Sequence, residues 1–238
     1  MRTIGLIGGM SWVSTETYYR RINSEVQRRL GGFNSAHLLI ESVNFNDVAR
    51  LQLHDDWDAA AEVMIRSAKR LEQAGSTAIL ICANSMHKIY DQVASQVDVP
   101  VLHIADCVGD RMKADGIKRA ALIGTRNVMT EGFYRKRLVA KDVALVPPDL
   151  GRAEEIDRII YEELMFSRTS RDSERSLKTF ITNIAKQDIE AIVLGCTELA
   201  MIVDTKANVL PIYDSAEIHC DAAVEWMLSG VEPEKPEL

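Results

Sequence analysis

Short apolar runs bounded by glycine or small polar residues alternate along this chain with stretches in which apolar positions recur every three or four residues. The runs read as buried strands and the stretches as amphipathic helices. Strands are expected at 3–7, 37–40, 77–81, 101–104, 119–123, 143–146, 191–194 and 209–212. Helices are expected at 14–30, 57–73, 105–113, 153–166, 174–186 and 215–227. The last starts on a strong signal, Asp214 as cap with Glu217 three residues on. Strands alternating with helices predict an α/β fold with parallel sheets. The closing "GVEPEKPEL" is polar and proline-rich, and is expected to fray.

The pattern also repeats. "GLIGG" (5–9) matches "ALIGT" (121–125), and "AILICANS" (78–85) matches "AIVLGCTE" (191–198). The separation is nearly the same in both halves, from Gly8 to Ala83 and from Gly124 to Cys196. Each half thus starts with a strand ending in a glycine turn and later places a second strand ending in a small polar turn. Ligands of parallel α/β sheets bind outside the carboxyl ends of the strands. Two such halves facing each other would put Ala83 and Cys196 on opposite walls of one cleft.

Composition narrows the function. The 238 residues suit one large domain or two lobes, either able to bury a core without disulfides. A formal charge of −7 with no basic stripe argues against a nucleic-acid partner. The apolar start "MRTIGLIGGMSW" is broken by Gly8 and Gly9, too short for a signal peptide, and no run approaches the length of a membrane span. The expected location is the cytosol, where Cys82, Cys107, Cys196 and Cys220 stay reduced. They lie far apart, with no CxxC pair to hold a metal. Strand alternation turns Cys82 away from the face that Ala83 shares, so it reads as core. Cys107 and Cys220 lie on helical stretches and read the same way. Cys196 differs: Gly195 leaves backbone room, and Thr197 and Glu198 follow at a helix start, where backbone N–H groups are expected to lower a thiol's pKa.

The blocks "IGLIGGMSW", "ANSMHK", "LHIAD", "GTRNVMTEGFY", "LGCTEL" and "YDSAEIH" resemble, in order, those of the aspartate/glutamate racemase family, the pyridoxal-independent amino-acid racemases. The resemblance runs from Ile4 to about Met227 and is nearest the broad-specificity, L-aspartate/glutamate bacterial branch. It implies two pseudo-symmetric lobes, each a parallel sheet flanked by helices, with the active-site cleft between them. Residues 1–102 would form the first lobe, with 209–238 packing back onto it, and 103–208 the second. It also implies a homodimer, a small-molecule amino-acid substrate, and neither cofactor nor metal.

Members of the family typically carry one cysteine per lobe. One thiolate removes the α-proton and the other thiol protonates the opposite face, as inversion at carbon requires. The second-lobe cysteine maps onto Cys196. The first-lobe cysteine maps onto Ala83, which has no proton to give; some broad-specificity relatives carry threonine there. A bound water, Ser85 or His87, in that order, would have to supply the missing group. Met10, with Ser11 beside it, matches the glycine-turn contact. Asn84, Ser85 and Thr197 match residues that hold the α-carboxylate. Gln52 stands at a side-chain-facing position near which aspartate-specific relatives often carry arginine. Glu198 would orient the amino group or complement the helix dipole, and His103 and His219 would brace the site. The expected function is amino-acid racemisation through Cys196. A single-cysteine decarboxylase or isomerase on the same scaffold, or a non-catalytic amino-acid-binding protein, is the alternative.

Overall fold

The computed structural model describes residues 1–206 and 208–229; the fraying expected of residues 230–238 falls outside the described residues. Contacts divide the chain into two units. The first runs from Met1 to His103 and resumes at His219, and the second is Ile104–Ile218.

The first unit contains β1 (Ile4–Gly8), α1 (Trp12–Leu30), β2 (Leu38–Ser42), α2 (Phe45–Leu53), α3 (Trp57–Gln73), β3 (Ala78–Ile81), a 3-10 turn (Ser85–Ile89), α4 (Tyr90–Ala94) and β4 (Val101–Leu102). The second contains α5 (Ile104–Ala114), β5 (Arg119–Gly124), α6 (Arg126–Thr130), α7 (Gly132–Ala140), β6 (Ala144–Leu145), α8 (Leu150–Glu162), α9 (Arg171–Ile184), β7 (Ala191–Gly195), a 3-10 turn (Thr197–Met201) and β8 (Ile212–Asp214). The unit boundary passes through α10 (Ser215–Leu228), whose start is capped as expected: the Ala216 and Glu217 amides donate to Asp214 Oδ1.

Both sheets are four-stranded and parallel, in the orders β2-β1-β3-β4 and β6-β5-β7-β8. The order is the same in each, so β5 corresponds to β1 and β7 to β3, as the repeated motifs require. Two-residue alternation sorts the strand residues onto faces. In the second unit Ala121, Ile123, Ile192, Leu194 and Cys196 join one apolar cluster with α8 and α9, while Ala120, Leu122, Ala191 and Val193 join another with α5 and α7. In the first unit Ile79, Ile81 and Ala83 share a cluster with α3, which Cys82 does not join. Cys82 is fully buried.

Four details differ from the sequence reading. β8 pairs with β7, so residues 212–214 belong to the second sheet although 209–238 were expected on the first lobe. That strand also starts later than expected. Pro211 has no N–H to give a ladder, and Val209 is exposed. Ile104 opens α5 rather than ending β4. The short helices α2, α4, α6 and α7 were not expected.

Candidate active site

In each sheet the strand order reverses between the two central strands, the point outside whose carboxyl ends ligands of open parallel α/β sheets bind. In the first unit the loops that follow β1 and β3 flank this point. Gly9 has φ of 88°, and a Cβ there would lie 2.1 Å from the Val43 carbonyl oxygen, so the turn requires glycine. Its amide donates to Thr15 Oγ1 at 2.7 Å, and Ser11 caps α1 by accepting from the Ser14 amide. Met10 is buried in the same cluster as Ala83. Gln52, on α2, donates through Nε2 to Met86 Sδ at 2.9 Å, and Met86 belongs to that cluster too. Met10, Gln52, Ala83, Asn84 and Ser85 are thereby gathered at one edge of one sheet.

Asn84 is 5% exposed, yet neither its Oδ1 nor its Nδ2 meets a partner. A buried amide without hydrogen bonds costs on the order of 1–3 kcal/mol. A carboxylate or ammonium group arriving from solution would remove that cost. His87 is engaged with the turn itself. Its Nδ1 donates to the Ala83 carbonyl at 3.0 Å, and its ring packs against His103 at 4.6 Å and His219 at 5.7 Å. The Nδ1 bond ties the His87 ring to the turn at which it was expected to serve as a substitute acid or base. His219 Nε2–H donates to the Leu102 carbonyl, which leaves Nδ1 to accept from Tyr18 O–H at 2.8 Å. Burial, and then the neighbouring His87, pull its pKa down to about 3, so it is neutral.

In the second unit the matching turn is Cys196-Thr197-Glu198, and all three residues are buried. Cys196 Sγ–H donates to Glu198 Oε2 at 3.1 Å. The expectation of a lowered thiol pKa is overturned. Burial pushes it well above the ordinary thiol value, and the Glu198 charge and hydrogen bond push it further. The Glu198 and Leu199 amides act the other way and are outweighed. Cys196 therefore rests protonated, with a carboxylate holding its proton. Glu198 engages the thiol in this arrangement, a role that neither expectation for it contained.

Two neighbours escaped the sequence reading. Gly124 pairs with Gly195, so Thr125 follows next to Cys196 across the sheet, and its buried Oγ1 has no partner. The match of "ALIGT" to "GLIGG" was the signal, since it put Thr125 at the glycine-turn position. Tyr161, on α8, lies within the field of Asp157 and Glu198; burial and then these charges raise its hydroxyl pKa. No sequence spacing links it to the strand ends.

The comparisons agree with this architecture. The family profile described as Asp/Glu/hydantoin racemase matches residues 7–223. The broad specificity amino-acid racemase RacX of Bacillus subtilis (strain 168) is 23% identical over 229 residues, covering 95% of this chain and 98% of its own. A crystal structure of a candidate Asp/Glu racemase from Yersinia pestis superposes with a TM-score of 0.88 at 39% identity, covering 96% of this chain and 100% of that one. An aspartate racemase homologue from Pyrococcus horikoshii OT3 gives 0.82 at 32% identity, with 95% and 99% covered. With two parallel α/β sheets of one strand order and a family match over most of its length, the chain belongs to the Asp/Glu/hydantoin racemase family, and is an amino-acid racemase, an isomerase.

Proposed function

We propose that this racemase acts on aspartate, glutamate or a broader set of amino acids, and that Cys196 is the group that exchanges the α-proton. The observation that carries the proposal is the Cys196 Sγ–H to Glu198 Oε2 hydrogen bond at the end of a buried strand. Glu198 accepts the thiol proton, and the thiolate so formed removes the α-hydrogen of the bound amino acid. In the reverse sense Cys196 gives its proton to the α-carbanion, and the pair returns to its starting state. A carboxylate within hydrogen-bond reach lets a raised thiol act as base as well as acid.

Asn84, Ser85 and Thr197 are proposed to hold the α-carboxylate, as the family pattern assigns them. The unpartnered Asn84 amide supports this directly. Met10 and Ala83 would supply apolar contact. Gln52 would meet the side chain without the charge needed for a bidentate grip on a second carboxylate, which favours breadth over a strict aspartate preference. Ala83, where the family pattern places the other thiol, leaves the second proton transfer to a water or to Ser85. The same vacancy favours a second reading, one-sided proton delivery in a decarboxylation or isomerisation, which one thiol suffices to perform. The family's homodimer and a cytosolic setting go with the proposal, and sedimentation would read the first. No helix among the described residues is long and apolar enough to cross a membrane.

The test is α-hydrogen exchange in heavy water, followed by proton NMR beside chiral chromatography for aspartate, glutamate and homoserine. One enantiomer should exchange faster than it inverts, and the other should exchange slowly. Equal exchange of both would mean that a second base works as well as Cys196. No exchange of any amino acid would reject the racemase mechanism in favour of the second reading.

A further inference from the structure

A groove of about 540 Å³ lies between α9 and the segment after the Cys196 turn, lined by Arg171, Arg175 and Lys178 on one side and Ile202 and Val203 on the other. Arg171, Arg175 and Lys178 stand at i, i+4 and i+7, one face of the helix, and all three are exposed. Their charges are not committed. Elsewhere on the surface arginines pair readily with acids, as Arg111 does with Asp115, Arg137 with Asp106 and Arg152 with Glu155. These three pair with no described acid, although Glu174 and Asp204 line the same groove. The floor beneath them is apolar: Ile181 and Val203 belong to the cluster that contains Cys196, and Ile202 packs against it.

We propose that this groove is a binding site for a small organic phosphate monoester, its phosphate held by Arg171, Arg175 and Lys178 and its apolar body lying on Ile181, Ile202 and Val203. Guanidinium groups match phosphate oxygens with paired N–H donors, and three cations on one helix face exceed what a monoanion needs. The apolar floor asks for more than an inorganic ion. The Ile202 and Val203 amides both donate to the Leu199 carbonyl, within the turn that starts at Cys196. An occupant therefore braces the segment that leaves the Cys196 turn.

The probes are phenyl phosphate and inorganic phosphate, titrated calorimetrically. Phenyl phosphate should bind one per chain, at least tenfold more tightly than inorganic phosphate, and should slow hydrogen exchange in peptides covering Ile202 and Val203. The triple variant Arg171→Gln, Arg175→Gln, Lys178→Gln should bind at least tenfold more weakly with its thermal unfolding unchanged. Were that variant unstable, Arg175→Gln alone should weaken binding about threefold. Absence of saturable binding, equal affinity for the two probes, or affinity unchanged by the substitutions would each overturn the proposal.

Discussion

The two units place the same four parallel strands in the same order, and they end their third strands in different chemistry. β3 runs into Ala83 and Asn84, a methyl group beside an amide that bonds to nothing. β7 runs into Cys196 and Glu198, a thiol whose proton is already held. Under the proposed function the first turn receives a polar ligand and the second moves a proton. The backbone pattern is common to both, so the division rests on a few side chains at one position of a repeated scaffold.

The comparison is broken most severely at the thiol. Cys196→Ser should lower racemisation by on the order of 10³-fold, because a hydroxyl ionises far less readily than a thiol. Thermal unfolding should stay close to that of the parent, and full turnover in the variant would end the assignment. Making the two turns alike is the converse test. Ala83→Cys should raise racemisation by on the order of 10²-fold, if a missing acid or base on that side limits the rate. An unchanged rate in a folded variant would show that the vacancy is not limiting.

Glu198→Gln separates the proton-holding role from the thiol itself. We expect a loss on the order of 10-fold and a shift of the alkaline-going limb of the pH–rate profile to lower pH, because the carboxylate is one of the groups that raises the Cys196 pKa. A variant with the parent's rate and profile would return Glu198 to a structural role.

The smallest effect concerns acid stability, where the units also differ. All five histidines lie in the first unit. His219 is held neutral, with its pKa near 3 against an unfolded value of about 6.5. Below pH 6.5 the unfolded chain therefore binds a proton that the folded chain refuses. Stability should fall as pH drops through that window, by up to about 1.4 kcal/mol per pH unit, and should be fully present above it. Urea unfolding at pH 7 and pH 5 measures the slope, and His219→Gln should flatten it. The same slope in parent and variant would remove His219 as its source.

The central strands were legible because β1, β3, β5 and β7 are short apolar runs buried on both faces, a pattern that periodicity detects without tertiary knowledge. α6 and α4, of five residues each, are too short for a periodic signal, and α7 carries exposed Val139 opposite buried Leu138. Cys196 was legible as a motif, but the sign of its pKa shift was not. A sequence displays a helix start, which favours the thiolate, and the Glu198 that follows, but hides the burial and the Sγ–H to carboxylate contact that together outweigh the helix start. The expectation at Ala83 came from the repeated motif, yet that Asn84 goes unsatisfied and that the His87 ring bonds to the Ala83 carbonyl and packs against His103 and His219 depend on packing that the sequence does not display.

The protonated state of Cys196 also governs how it meets reagents other than substrate. Alkylating agents and peroxides attack thiolates, and a buried thiol whose proton is shared with a carboxylate offers almost none at neutral pH. Cys107, the least buried of the four cysteines, has its own pKa pushed up to about 12. The folded protein should thus tolerate air and thiol-labelling reagents, and a survey that ranks cysteines by alkylation rate would pass over the one proposed to carry the reaction.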